Sequence, residues 1–180
     1  MLVAIPGAAA AASENRDYLP DIRRLFYQAT VDESAVDTAA SFLRGRLAAD
    51  VARWPAVARA YDAALEGLRG KYAKGLIDKL RHVQKAVSEL RSLPEENPSS
   101  LEIRFLRFSF FHQIPVFFGV RSTVAPDLRI LISMLEDRRY EEVPVDVQRD
   151  MVVYLMDCGE ADRSQETRLR ALLETLPRLP

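Results

Sequence analysis

Ser99-Ser100-Leu101-Glu102-Ile103-Arg104-Phe105-Leu106-Arg107-Phe108-Ser109-Phe110-Phe111-His112-Gln113-Ile114-Pro115 is the stretch on which the fold turns. Its apolar residues recur three and four apart, the spacing of one helix face, and it lacks the sustained alternation of a half-buried strand. Ser99 followed by Glu102 is a capping-box pattern, in which the hydroxyl satisfies an orphan amide of the first turn and the carboxylate reaches back to the cap. Pro115 breaks the helix, because it has no N–H to give. Eight apolar side chains leave only a narrow polar strip through Glu102, Arg104 and Arg107, which predicts a helix buried on most sides at the centre of the core.

The same period extends in both directions. Upstream, Pro20 opens a helix that runs to about Thr30, with Ile22, Leu25, Phe26 and Ala29 on one face, and Asp32 caps a second that buries Val36, Ala39, Ala40, Leu43 and Leu47. Trp54-Pro55 starts a third, carrying Val57, Ala58, Tyr61, Leu65 and Leu68 up to a stop at Gly70. The fourth carries Leu76, Leu80, Val83, Val87 and Leu90, and the loop Pro94-Glu95-Glu96-Asn97-Pro98 ends it. Downstream, Gly119 allows a turn and a sixth helix begins near Pro126 with Leu128, Leu131, Ile132 and Leu135 inward. A seventh starts near Pro144 with Val147, Met151, Tyr154, Leu155 and Cys158 on one side and closes at Gly159. The eighth carries Leu169, Leu172, Leu173 and Leu176 and ends before Pro177. The expectation is an all-α chain of about eight helices in antiparallel hairpins, with successive pairs starting near Pro20, Pro55, Ser99 and Pro144. That loose interval of roughly 35 to 45 residues is typical of helical-hairpin repeats.

Composition sets the limits. A chain of 180 residues that is 48% hydrophobic and 28% charged can bury one sizeable core and is too apolar for disorder. Residues 19–180 read as a single helical-repeat domain. The 25 basic and 26 acidic residues cancel to a net charge of −1, so there is no net field to hold a polyanion and nucleic acid is disfavoured as a partner. No apolar run approaches the ~20 residues that span a bilayer, so no transmembrane segment is expected. Residues 1–18 read as a flexible segment whose Leu2-Val3-Ala4-Ile5-Pro6-Gly7 and following alanines have the character of the tail of a secretory signal. The alternative is a frayed, low-complexity terminus with no targeting role. Export to an envelope compartment is the expectation, with the cytoplasm as the alternative.

Trp54, Val57, Ala58 and Tyr61 stand at the spacing of the first-helix positions of a tetratricopeptide repeat, and Ala86 and Pro94 resemble the second-helix alanine and terminal proline of that family. The latter two fall several residues late, so the resemblance is to a degenerate repeat with an insertion around Lys71 to Gly75. Leu25-Phe26-Tyr27-Gln28-Ala29 and Leu101-Glu102-Ile103-Arg104-Phe105-Leu106-Arg107 are also similar to a group of uncharacterised bacterial proteins, often with export signals. The first likeness covers the second hairpin and its exit loop, and the second covers roughly Leu19 to Leu135. The first implies a right-handed array of hairpins whose concave face holds a peptide or partner helix; the second implies no activity.

Motifs for chemistry are scarce. Cys158 is the single cysteine, and His82 and His112 lie thirty residues apart, so neither a thiolate cluster nor a histidine pair on one helix face is available for metal, and no cofactor is implied. Gly67-Leu68-Arg69-Gly70-Lys71-Tyr72 lacks both the spacing and the hydroxyl of a phosphate loop. The carboxylates Glu136, Asp137, Glu141 and Glu142 around Arg138 and Arg139 read as a solvated surface. No nucleophile elbow or dinucleotide fingerprint appears, and an enzyme is not expected. The one unusual segment runs from Phe108 to Gly119, with five phenylalanines in twelve residues. Phe117 and Phe118 fall beyond the helix break, where they either anchor a partner or fold back to plug the core. On the first reading Arg104, Arg107 and Arg121 are the polar contacts, and the protein is a non-enzymatic scaffold for another protein or a peptide. On a second reading the phenylalanines wall a pocket for a small molecule or lipid.

Overall fold

The computed structural model describes residues 16–138 and 143–177. These form eight α-helices: α1 (Leu19–Ala29), α2 (Glu33–Arg46), α3 (Ala56–Tyr72), α4 (Leu76–Glu96), α5 (Leu101–Phe111), α6 (Arg121–Asp137), α7 (Val145–Asp157) and α8 (Arg163–Thr175). No strand occurs among the described residues, so the protein is all-α as the spacing requires. Residues 1–15, on which the export-signal reading rests, and Arg139, Glu141 and Glu142 of the acidic cluster lie outside the described residues. No helix among the described residues is long and apolar enough to cross a membrane.

Helices pack in antiparallel pairs, α1 with α2, α3 with α4, α5 with α6 and α7 with α8. Odd-numbered helices also touch in succession, α1 with α3 and α3 with α5, while α8 joins the last pair to α6. Helix α5 packs against α3, α4 and α6. Its Phe108 and Phe111 are fully buried, and burial of each such side chain contributes about 1.5–3 kcal/mol. Tyr18, just ahead of α1, is 3% exposed and part of the core.

Several boundaries differ from the sequence expectation, each for a tertiary reason. Gly70 does not end α3: a Cβ there would lie 2.9 Å from Val83 Cγ2, so glycine permits close approach of α4. Helix α4 passes through Pro94 to Glu96, and its final carbonyls are bound by arginines of α5: Arg107 Nη1 donates to Arg91 O at 2.8 Å and Arg104 Nη2 to Pro94 O at 3.3 Å. Leu76, expected inside, is 71% exposed. Helix α6 begins at Arg121, with Pro126 inside it. The turn ahead of that proline is held by burial of Val120 and Val124 and by the Thr123 amide and hydroxyl, both donating to Val120 O. The cap of α5 is Ser100, whose Oγ accepts from the Ile103 amide at 3.3 Å. Ser99 and Glu102 therefore form no capping box, and Glu102 is free for another task.

Gly119 and Gly159 have φ of +69° and +75°, a left-handed backbone that a Cβ would strain. They make the turns expected of them before α6 and after α7. A capping box does occur at α8, where Asp162 and Gln165 exchange bonds.

Candidate functional site

The polar strip of α5 is not a strip. At 100° per residue, Glu102 stands about 160° from Arg104 and about 140° from Arg107, and the three residues serve opposite faces of a helix in which all are buried. Asp127 of α6, 1% exposed, binds Arg107 in a fork, Oδ2 accepting from Nε at 2.8 Å and Oδ1 from Nη2 at 2.7 Å. Oδ1 also accepts from Arg104 Nη1 at 2.8 Å, while Glu95 of α4 takes Arg107 Nη1 at 2.6 Å. Burial alone would lower the Arg107 pKa, but its bonds to Asp127 and Glu95 outweigh this and hold it above the ordinary value. Arg104 and Arg107, expected to meet a partner, are thus committed to an internal clamp of α4, α5 and α6.

The opposite face of α5 floors a cleft of about 590 Å³. Glu102, Phe105, Leu106, Ser109, Phe110 and Gln113 line it, and their steps of three, one, three, one and three mark a single helical stripe. The other odd-numbered helices contribute stripes of the same kind. Helix α1 supplies Arg23, Arg24 and Tyr27, α3 supplies Tyr61, Ala64 and Leu68, and α7 supplies Val147, Asp150 and Met151. Aromatic residues dominate the floor and one wall: Phe26 meets Tyr61 edge-on at 5.4 Å, and Phe105 meets Tyr154 in the same way at 5.4 Å. Gly67 shapes the floor, since a Cβ there would come within 2.5 Å of the Phe110 ring. Glycine lets that ring lie against α3.

Each end of the stripe carries a hydrogen-bond cluster. At one, Glu102 accepts from Arg23 Nε and Nη2 at 2.7 and 2.8 Å, and from the Tyr61 hydroxyl at 2.5 Å. Burial, reinforced by the Glu102 charge, pushes the Tyr61 phenol well above its usual range, so it remains a donor. At the other, the Tyr154 hydroxyl accepts from Gln113 Nε2 at 2.7 Å and lies 2.6 Å from His112 Nε2. Burial raises the Tyr154 pKa to about 12 and lowers that of His112, where Arg121 adds to the effect against Glu160. The imidazole is therefore neutral at pH 7.

Phe117 is 70% exposed, its ring tilted against that of Phe118 at a centroid distance of 4.5 Å in a short 3-10 turn, with Phe118 packed partly on the core. Arg121 forms a forked ion pair with Glu160 at 2.6 and 2.7 Å. The structure thus divides the residues singled out in the sequence: two arginines are internal, Arg121 holds the loop before α8, and Phe117 stands apart from the cleft. The cleft uses Phe105 and Phe110 from the same aromatic segment, with Phe26 and Tyr27 from α1. Their signal was present in the regular stripes, but nothing local shows that four stripes face one space. Among the described residues no group of three or more His, Cys, Asp or Glu is placed to hold a metal ion.

Comparisons with protein-family models, with curated proteins and with solved structures found no match.

Proposed function

We propose that this protein is a non-enzymatic helical-repeat scaffold that binds a peptide or a segment of another protein in the cleft between α1, α3 and α7, with α5 as its floor. The observation that carries this reading is the convergence of one face from every odd-numbered helix on a solvent-open, aromatic-walled cleft. Tyr27 at its rim is 71% exposed, and aromatic side chains held on rigid helices are good anchors for a partner's apolar groups. The side-by-side packing of α1, α3 and α5 supports the tetratricopeptide-like reading, in which such a row forms the binding face. The anchor then moves from Phe117 and Phe118 to Tyr27, Phe105 and Phe110.

A cleft of about 590 Å³ also falls in the size range of small-molecule sites. That observation favours the second reading, a small molecule or lipid on the same aromatic wall; saturable one-to-one binding of an apolar fluorescent dye, with no competition by peptide, would support it.

Selection from a displayed random-peptide library tests the first reading. Peptides enriched on the wild type are expected to lose binding on a Tyr27→Ser/Phe105→Ala variant that retains its helical circular dichroism. They are expected to keep it on Val116→Ser/Phe117→Ser. Enrichment that depends on Phe117 and not on the cleft residues would contradict the assignment.

A further inference from the structure

The charges at the cleft mouth are asymmetric. On the α1 and α3 side Arg23 is paired with Glu102 and Arg24 with Asp21 at 3.4 Å, while Lys71 donates to Thr30 O at 2.7 Å, lies 5.2 Å from the Tyr72 ring and keeps its charge. On the α7 side Asp146 and Asp150 line the cleft, are exposed, and have no ion pair or hydrogen bond among the described residues. They stand one helical turn apart on one face, where two like charges repel each other. Asp146 lies in the first turn of α7, where the helix dipole offsets part of that cost; Asp150 lies beyond it.

From this we infer the chemistry of the occupant, an inference that rests on the cleft being the binding site: it is a basic amphipathic helix. Its apolar stripe sits on Phe105, Phe110 and Tyr27, and two Lys or Arg side chains one turn apart on its flank meet Asp146 and Asp150. The spacing agrees, because side chains four apart repeat along both helices at the same rise. Two exposed rim ion pairs give about a tenfold preference over an uncharged flank.

Three labelled peptides with a common leucine stripe and either lysine, glutamine or glutamate on the flanks test this by fluorescence anisotropy. The leucine–lysine peptide is expected to bind about tenfold tighter than the leucine–glutamine one, and the leucine–glutamate peptide weakest. Asp146→Asn/Asp150→Asn, which changes only exposed side chains, is expected to remove the difference between lysine and glutamine, and added salt to shrink it in the wild type. Equal binding of the lysine and glutamine peptides, lost on Tyr27→Ser/Phe105→Ala, would overturn the charge assignment and leave the cleft reading standing. Binding of the lysine peptide that survives Tyr27→Ser/Phe105→Ala would overturn both, as would failure of all three peptides to bind.

Discussion

Replacing Asp127 by alanine is expected to lower the free energy of unfolding by about 3–5 kcal/mol, read from urea titration. The carboxylate is 1% exposed and is the shared acceptor of two guanidiniums that are themselves 6% and 3% exposed. Without it, Arg104 and Arg107 remain buried with their charge uncompensated on that side. Glu95 softens the loss only for Arg107, since it binds Nη1 alone. Arg104 is the less satisfied of the two, as its Nε already has no hydrogen-bond partner. The complementary variant separates clamp from charge. In Asp127→Leu/Arg104→Met/Arg107→Met the desolvation cost disappears with the ions, and stability is expected to return to within about 1 kcal/mol of the wild type or to exceed it. A loss below about 1 kcal/mol in Asp127→Ala would mean that the clamp is not buried as described.

Glu102→Leu is expected to cost about 3 kcal/mol, near the lower end for a broken buried pair. Its partner Arg23 retains 11% side-chain exposure and lines the cleft, so it can turn toward water. Tyr61 cannot escape: at 4% exposure its hydroxyl would lose its acceptor, and a stranded buried donor costs about 1–3 kcal/mol. Tyr61→Phe removes donor and bond together and should cost only about 1 kcal/mol. In the Glu102→Leu background the same Tyr61→Phe change is expected to be neutral or stabilising. Additive losses in the double variant would show that the two side chains do not act as a unit.

Helix type and number were legible because they depend on spacing within one element. The cap of α2 is an example, with Asp32 accepting from the Ser34 amide at 2.9 Å as its residue type requires. Boundaries governed by another element were not legible. Gly70 reads locally as a stop and acts as a contact with α4; Pro94 reads as a stop and sits in a turn whose carbonyls are bound by arginines of α5. The charges of α5 were the largest misreading. Hydrophobic periodicity marks Glu102, Arg104 and Arg107 as polar, but their partners Arg23, Asp127 and Tyr61 lie 20 to 79 residues away. One signal was available: three charges on an eleven-residue helix that is apolar apart from them and Ser109 cannot all reach water if that helix is central, so they require opposite charges elsewhere. The cleft was half legible. The aromatic segment draws attention to α5, but Phe117 and Phe118, past the helix break, do not line the cleft; Phe105, paired with Tyr154, and Phe110, in the space left by Gly67, do.

The proposal that the cleft is the binding face is tested most directly by titrating the isotope-labelled protein with the leucine–lysine peptide and following amide chemical-shift changes. Shifts are expected to converge on Arg24 and Tyr27, on Phe105 to Gln113, and on Asp146 to Tyr154, and to be absent in the Tyr27→Ser/Phe105→Ala variant. A shift pattern centred on Val116 to Phe118, or one spread evenly over the outer helices α2 and α4, would contradict it.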